Sequence, residues 1–480
     1  MSKCYIHGYI TGIRTLSGTS GTRAHRSYIP LLVINLVRIL GEEDIQETAG
    51  AFPSSMYSIS VIGNRQPQNT IRHQSIQINS NIRMNISDFF QSLKQHVDRE
   101  NGTKVAELLT IRAPFMQTLA SHCEKFSVRK LETDAKRILE QPWNELILLY
   151  IKVITSISKR KYAEAFEEHL LLVQAFHKTN SSRWSLPILY VIDFDLRLLA
   201  IKSDLIFMMA EKPPKNLEIA ARTINRTFSI CITDRSPLAT SRKWGTYYFA
   251  GLLFKTYFKL KQQNLCKNVM RSIKAASADL PGFEKFPKAH KVTFLYYHGL
   301  QLFLDAEYSS AEEKLVVAFR MCPKNSKKNK ELILRYLIPI WLIRGVLPSR
   351  EILSRYPRLN KLYKPFVDAI RDGNVKNFDD ALAKNEMKLV SQNTFLTVEL
   401  AREIAMRVLF KKVYLINNRE SKIPLSKFHA ALNYVGREVE MSEVMWFIAS
   451  MIQKGLIRGH LQYSTQFLVL STKNAFPWFG

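Results

Sequence analysis

YYHGLQLFLDAEYSSAEEKLVVAFRMCP, residues 296–323, has the spacing of two helices joined by a tight turn. Gly299 lies where the first helix needs a small residue against its neighbour, and Tyr308 opens the second helix. Ala311 and Ala318 allow the two helices to pack closely. This pattern is typical of a tetratricopeptide-like helical hairpin, and it predicts a mainly α fold.

A second stretch repeats half of this pattern. KRKYAEAFEEHLLLVQAF, residues 159–176, places Tyr162, Ala165 and Phe166 at the same spacing. Hairpins of this kind stack into solenoids that share a continuous core. We therefore predict a helical-repeat solenoid over residues 84–300. Two imperfect repeats leave an irregular helical bundle open as the alternative.

A dense apolar segment follows at residues 332–347, where Arg335, Pro339 and Arg344 interrupt the run. A helix that spans a bilayer needs about 20 mostly apolar residues, and arginines at its centre cost several kcal/mol each. This segment is shorter than that. A helix that is apolar nearly all round is typical of the core of a larger helical assembly. We predict a buried helix and no membrane insertion.

The pattern changes near residue 400, where three short helices precede a stretch of alternating residues. Pro424 starts the second of these helices, and Ser442 is the predicted cap of the third. LIRGHLQYSTQFLVLS, residues 456–471, then alternates with a turn in its middle, as a β-hairpin does. Three helices followed by a hairpin predict a winged helix at about residues 400–472.

The first part of the chain differs from the rest. Residues 1–83 are rich in Ser, Thr, Gly, Ile and Asn, and their helical periodicity is poor. This composition predicts a disordered or spurious N-terminal extension, although the absence of acidic residues up to Leu40 is also typical of a transit peptide. We expect order to begin near Met84, a candidate start residue, with Ser87 capping the first helix.

Charge and cysteine content narrow the classes of function. The chain has 69 Lys and Arg against 41 Asp and Glu, a formal charge of +28, which favours polyanionic partners. Its five cysteines are scattered, with no CxxC pair, so we expect a reducing compartment and no disulfide framework or zinc site. Signatures of metalloproteases, phosphate-binding loops and nucleophile elbows are absent from the sequence. We therefore expect a non-enzymatic protein without cofactor or metal.

Basic residues are densest at residues 320–364, with twelve Lys and Arg against two Glu. These charges are either solvated helix ends or a binding surface, and the sequence leaves both open. The lysine run at residues 324–330 also fits the weak pattern of a nuclear localisation signal.

The predicted winged helix carries its own basic residues. The candidates for nucleic-acid contacts are Lys422, Lys427, Arg437, Lys454, Arg458, His460 and Lys473. Among them, Lys422, Lys427, Arg437 and Arg458 flank the helices and the wing, where such modules meet a phosphate backbone.

The third helix of this module is poorly suited to reading bases, because no Arg or Lys stands in its middle. Its outward positions include Met445 and Trp446, residue types that are enriched in protein interfaces. We therefore predict phosphate contacts without base readout and a partner interface at these two residues. Packing of Trp446 in the core is the alternative.

Helical hairpins that run directly into a winged helix resemble the PCI domain, and AIRDGNVKNFDDAL at residues 369–382 carries that resemblance. Four further stretches resemble the PCI domain-containing protein 2 family, which is signalosome-subunit-12-like. They are SRKWGTYYFAGLLFKTYFKL (241–260), NLCKNVMRSI (264–273), KKNKELILRYLIPI (327–340) and VLFKKVYLI (408–416). The resemblance begins near Met84 and does not cover residues 1–83.

The resemblance implies a PCI domain over residues 301–480 and a scaffold that helps to export mRNA at the nuclear pore. Members of transcription and export complex 2 pair their winged helix with that of a large scaffold of the germinal-centre-associated nuclear protein type. A small acidic, disordered protein of the proteasome-lid type stabilises the pair. The paired modules present a basic surface to RNA and DNA without strong sequence preference.

The resemblance also implies a location in the nucleus and at the nuclear envelope, with some protein in the cytoplasm. A PCI subunit of a signalosome-like or proteasome-lid complex is the alternative function.

Overall fold

The fold is taken from a computed structural model, which describes residues 85–179 and 181–477. The predicted N-terminal extension and the candidate start Met84 lie outside the described residues. Helices make up most of the described chain, and three short strands lie near its C-terminal end. The prediction of a mainly α fold is confirmed.

The first twelve helices form the part that we predicted as a solenoid, together with the start of the next module. They are α1 Ile86–Asp98, α2 Gly102–Leu109, α3 Met116–Cys123, α4 Val128–Ile138, α5 Trp143–Ser158, α6 Tyr162–His177, α7 Leu186–Met209, α8 Asn216–Ile232, α9 Thr246–Lys259, α10 Asn264–Ala275, α11 Lys288–Leu304 and α12 Tyr308–Met321. From α5 to α9 each helix packs on the next, α9 then packs on α11, and α11 on α12. Residue 300, our predicted boundary, lies inside α11.

The remaining elements form the C-terminal part. They are α13 Lys327–Ile343, α14 Arg350–Arg355, α15 Pro357–Asp372, α16 Val375–Ser391, α17 Phe395–Leu400, α18 Arg402–Ile416, β1 Lys422–Pro424, α19 Leu425–Tyr434, α20 Met441–Gln453, β2 Gly459–Gln462 and β3 Phe467–Leu470. The helix α13 is the dense apolar segment. It is buried on nearly all sides and contains Pro339 without ending there. None of the helices in the described ranges is long and apolar enough to cross a membrane.

The helices α18, α19 and α20 and the three strands form the winged helix. The three strands make an antiparallel sheet in the order β1-β3-β2, and its inner face buries Ile423, Leu468 and Leu470. The ring of Phe410 in α18 meets that of Phe428 in α19 edge to face, with centroids 5.2 Å apart. The sequence predicted the hairpin but missed β1, because a strand of three residues is too short to show alternation.

Two predicted helix caps are wrong. The first helix is capped by Asn85, whose side-chain oxygen accepts a hydrogen bond from the Asp88 amide at 2.8 Å. The third helix of the winged helix begins after Glu440, which forms a capping box with Glu443. The predicted caps Ser87 and Ser442 each lie two residues further on, inside the first turn, where the backbone is already helical.

The hairpin of α11 and α12 depends on Gly299. A Cβ atom at this position would lie 2.7 Å from the Leu315 Cγ and 3.3 Å from the Ala311 carbonyl oxygen, both in α12. Ala311 and Ala318 are fully buried on the facing side. The two helices therefore approach each other as closely as the sequence predicted.

Replacing Gly299 by Ala should lower the free energy of unfolding by roughly 1–3 kcal/mol, because the new methyl group overpacks the contact with α12. Urea denaturation followed by circular dichroism measures the change. Gly282→Ala is the matched control, since no heavy atom lies within 4 Å of a Cβ built there. Equal stability of the two variants would show that α12 moves aside without cost.

The long helix α7 carries buried charges at its centre. The Asp195 carboxylate is fully buried and accepts hydrogen bonds from the Ile111 amide at 3.0 Å and the Thr110 hydroxyl at 3.1 Å. It also pairs with Arg112 Nε at 3.1 Å. Because all these donors belong to the turn after α2, Asp195 fixes the start of the solenoid against its central helix.

Asp193 lies on the same helix without such an anchor. It is fully buried, and neither carboxyl oxygen accepts a hydrogen bond from a described residue. The nearby Thr227 hydroxyl donates instead to the Thr223 carbonyl oxygen at 3.3 Å and contacts His177 Nε2 at 2.7 Å. Burial raises the pKa of Asp193 to about 8, and the smaller effect of Thr227 opposes it.

Folding stability should therefore fall as pH rises from about 4 towards 8, because the unfolded chain releases the Asp193 proton before the folded chain does. Asp193→Asn removes this titration while it keeps the shape of the side chain. We expect its Tm, relative to the parent, to be higher at about pH 8.5 than at about pH 5. A Tm difference that does not change with pH would contradict a neutral Asp193 in the folded protein.

Candidate nucleic-acid surface

The outer face of the winged-helix sheet brings three of the candidate residues together. Lys422 in β1 and His460 in β2 both pair with Val469 of the central strand β3. Paired residues share a sheet face, so Lys422 and His460 flank Val469, roughly 10 Å apart at two strand spacings. Both side chains are exposed. The neighbouring Phe467 lies beneath the Lys422 ammonium, which stands 4.7 Å from the ring centroid.

Arg458 extends the same face. Its amide donates to the Ala475 carbonyl oxygen at 2.8 Å, and its carbonyl oxygen accepts from the Ser471 amide at 2.8 Å. The bond from Ser471 continues the β-hairpin by one more residue pair, so side-chain alternation puts Arg458 on the side of His460. Lys473 is exposed two residues beyond Ser471. We call Lys422, Arg458, His460, Phe467 and Val469 the outer sheet face.

The outer sheet face is positive because no acidic residue interrupts it. The three strands contain no Asp or Glu, and neither do residues 454–480. The opposite face of the sheet packs on the helices. The outer sheet face carries the charged side chains and one partly exposed aromatic ring. An arrangement of cations around an aromatic ring can contact phosphates and stack on a base.

Two of the predicted residues lie outside the outer sheet face. The Lys427 ammonium donates to the side chain of Asn417 at the end of α18. Lys454 forms an ion pair with Glu403 at the start of α18. Both side chains are exposed, but each already has a partner within the chain.

Arg437 was predicted as a phosphate contact, and in the structure its guanidinium already has a carboxylate partner within the chain. Its guanidinium is 30% exposed and donates to Asp379 Oδ2 at 2.7 Å. Arg402 donates to the same carboxylate oxygen at 2.9 Å, so one Asp379 holds two arginines. Because Asp379 belongs to α16, this cluster ties the winged helix to the preceding helical pair. We call this cluster of Asp379, Arg402 and Arg437 the junction, and we assign Arg437 to it.

Arg407 of α18 is a buried cation, with 6% of its surface exposed. Its Nε donates to the Leu456 carbonyl oxygen at 3.1 Å and its Nη2 to the Pro477 carbonyl oxygen at 2.6 Å. Burial lowers the pKa of Arg407. Arg407 thus holds the segment after the sheet against α18, and the module extends to Pro477.

The predicted partner interface is only partly exposed. Trp446 is 66% exposed, which excludes the alternative that it packs in the core, whereas Met445 is half-buried. The Trp446 ring meets Phe447 edge to face, with centroids 5.5 Å apart. Tyr434 and Tyr463 are also exposed. The sequence did not predict their exposure, because tyrosine is common both in protein cores and on protein surfaces.

The third helix, α20, carries no basic side chain at an exposed position, and both Glu440 and Glu443 lie at its first turn. This helix therefore offers no donor for guanine edges. In the described ranges, no group of three or more His, Cys, Asp or Glu is placed to hold a metal ion.

A stack of helical hairpins that ends in a winged helix defines a PCI-type subunit of a protein complex. No protein-family model matches the chain. It is 36% identical over 412 residues to the protein CSN12 homolog of Schizosaccharomyces pombe, covering 81% of this chain and 96% of that protein. It is 32% identical over 401 residues to PCI domain-containing protein 2 of Xenopus laevis, covering 82% and 97% respectively. The chain belongs to the family of PCI domain-containing protein 2 and the CSN12 homologues.

The junction assignment predicts a difference between Arg437 and Lys427. Arg437→Ala should lower the free energy of unfolding by about 1 kcal/mol, because it leaves Asp379 with one arginine and the pair is partly exposed. Lys427→Ala, the control, should change it by less than about 0.5 kcal/mol. Urea denaturation measures both. If the two substitutions cost the same, Arg437 is not part of the junction.

Proposed function

We propose that this protein is a non-enzymatic scaffold subunit of an mRNA export complex at the nuclear pore, and that it binds nucleic acid through the outer sheet face. The observation that carries the proposal is the set of exposed Lys422, Arg458 and His460 on one face of a sheet whose strands contain no acidic residue. Such a surface neutralises phosphates without reading sequence, and α20 adds no base contacts.

The proposal includes a protein partner for the winged helix. Exposed Trp446 and half-buried Met445 on α20 fit an interface with a second PCI subunit, a large scaffold of the germinal-centre-associated nuclear protein type. A small acidic, disordered protein of the proteasome-lid type would complement the charge of +28. Paired winged helices would double the basic footprint. The proposed location is the nucleus and the nuclear envelope, with a cytoplasmic fraction.

A signalosome-like PCI subunit is the second candidate, because several relatives carry the name CSN12 homolog. The two candidates share the scaffold role and differ in partners. Mass spectrometry of proteins that co-purify with the native chain separates them. A large PCI scaffold together with pore proteins supports export, whereas a set of signalosome subunits supports the second candidate and contradicts the first.

Changing Lys422 and Arg458 of the outer sheet face to Glu, together with the exposed Lys473 just after β3, should weaken nucleic-acid binding at least tenfold. Each lost phosphate contact should flatten the plot of log affinity against log salt by ~0.7 to 0.9. Fluorescence anisotropy with labelled RNA and DNA of unrelated sequences measures both quantities, and we expect similar losses for each sequence.

The matched control is Lys94, Arg129 and Lys136 changed to Glu, since these exposed residues lie on α1 and α4 and give the same change in charge. It should keep most of the affinity. Equal losses in the two triple variants would mean that net charge alone determines binding, and the outer sheet face would then not be the site.

A further inference from the structure

Two basic segments that are far apart in sequence meet at one end of the C-terminal helices. Burial raises the pKa of Tyr356, at the junction of α14 and α15, while Arg355 opposes this effect and Cys322 and Glu331 add to it. The Tyr363 hydroxyl, two turns further along α15, donates to the Arg335 carbonyl oxygen at 2.9 Å. Both helices end against α18, since a Cβ at Gly345 would lie 3.6 Å from the Ile404 Cγ2 and one at Gly373 would lie 2.7 Å from the Leu409 amide nitrogen. The helices α13 and α15 thus run in the same direction. Their N-terminal ends therefore lie together.

Exposed cations crowd this place. We call them the basic end: Lys324, Lys327, Lys328, Arg355, Arg358 and Lys361. None of the six forms an ion pair with a carboxylate of the described residues. Arg344 illustrates the difference, since Glu312 already neutralises it at the other end of α13. The six cations of the basic end outnumber the two acidic residues of this part of the chain, Glu331 and Glu351, and neither forms an ion pair with them.

The placement of these charges opposes the stability of the helices. Lys327 and Lys328 lie in the first turn of α13, and Arg358 lies in the first turn of α15. Neither first turn contains an acidic residue. A cation at the positive end of a helix costs about 0.3–1 kcal/mol, and mutual repulsion adds to this. An external polyanion would remove the cost by supplying the missing negative charge.

The surface chemistry favours a phosphate backbone over a protein. Interfaces with proteins place large apolar or aromatic side chains at their centre. No residue of segments 324–328 and 355–361 is an exposed large hydrophobic side chain. The aromatic ring of Tyr356, which lies within the second segment, is buried. Lysines and arginines without apolar neighbours are typical of non-specific phosphate contacts.

We propose that the basic end is a second nucleic-acid surface that contacts the phosphate backbone, separate from the outer sheet face. The proposal rests on the proposed function in one respect, namely that both surfaces bind nucleic acid.

The far end of α15 abuts the winged helix, where a Cβ at Gly373 would lie 2.7 Å from the Leu409 amide nitrogen. The 16 residues of α15 span ~24 Å, or about seven base pairs of a duplex.

The test changes Lys327, Lys328 and Arg358 to Glu in the full chain. Fluorescence anisotropy with a duplex of about 24 base pairs should show at least a tenfold loss of affinity and a flatter salt dependence. The Tm of this variant should equal or exceed that of the parent, since Glu suits a helix N-terminus. A loss of binding with a raised Tm cannot be ascribed to unfolding.

The control is again Lys94, Arg129 and Lys136 changed to Glu. It matches the test variant in residue types, in charge and in a first-turn arginine, because Arg129 lies in the first turn of α4. We expect it to bind the duplex nearly as the parent does. A basic-end variant that loses no more affinity than this control would overturn the proposal. Tighter binding of the parent to polyglutamate than to a duplex of equal charge would also overturn it, in favour of an acidic protein partner.

The variants of the two surfaces separate the two claims. If only the outer-face variant loses affinity, the proposed function stands and the basic end is not a binding surface. If only the basic-end variant loses affinity, the inference stands and the outer sheet face is not the site. Both claims fail if neither variant differs from the control.

Discussion

The position of the winged helix depends on one close contact between backbones. Gly373 ends α15 in the left-handed conformation, with φ of +64°, and a Cβ there would lie 2.9 Å from the Leu409 Cα of α18. Any larger residue would suffer both strain and a clash. This contact lets α18 lie directly on α15, and Asp379 then reaches Arg402 and Arg437 from the neighbouring helix. The orientation of the outer sheet face follows from this junction.

The parts of the fold that the sequence predicted correctly are those with local signals. Small residues at helical spacing marked the α11–α12 hairpin, and an apolar run without a polar face marked α13 as core. The misplaced caps show the limit of this reading. Asn85 and Ser87, like Glu440 and Ser442, are two residues apart, and the side chain of either residue can accept an amide hydrogen bond at a helix start. Local propensity alone does not decide between them.

The candidate site was harder to predict, because its residues meet through long-range contacts. Lys422 and His460 share a sheet face only because both pair with Val469, and β1 gave no signal in the sequence. Arg437 and Asp379 are 58 residues apart. The sequence alone does not distinguish a basic residue that forms an ion pair with a carboxylate from one that is available to contact a phosphate. The structure separates the two kinds of residue.

This separation changes the meaning of the net charge. The formal +28 counts Arg402, Arg437, Arg344 and Lys454, all of which are paired with carboxylates inside the fold. The exposed cations of the outer sheet face and of the basic end form no such pair. One helix, α15, runs from the basic end to the winged helix, and a packed helix keeps its length. The fold therefore sets the distance between the basic end and the junction. The length of a bound polyanion, rather than its sequence, then decides whether it extends from the basic end towards the outer sheet face.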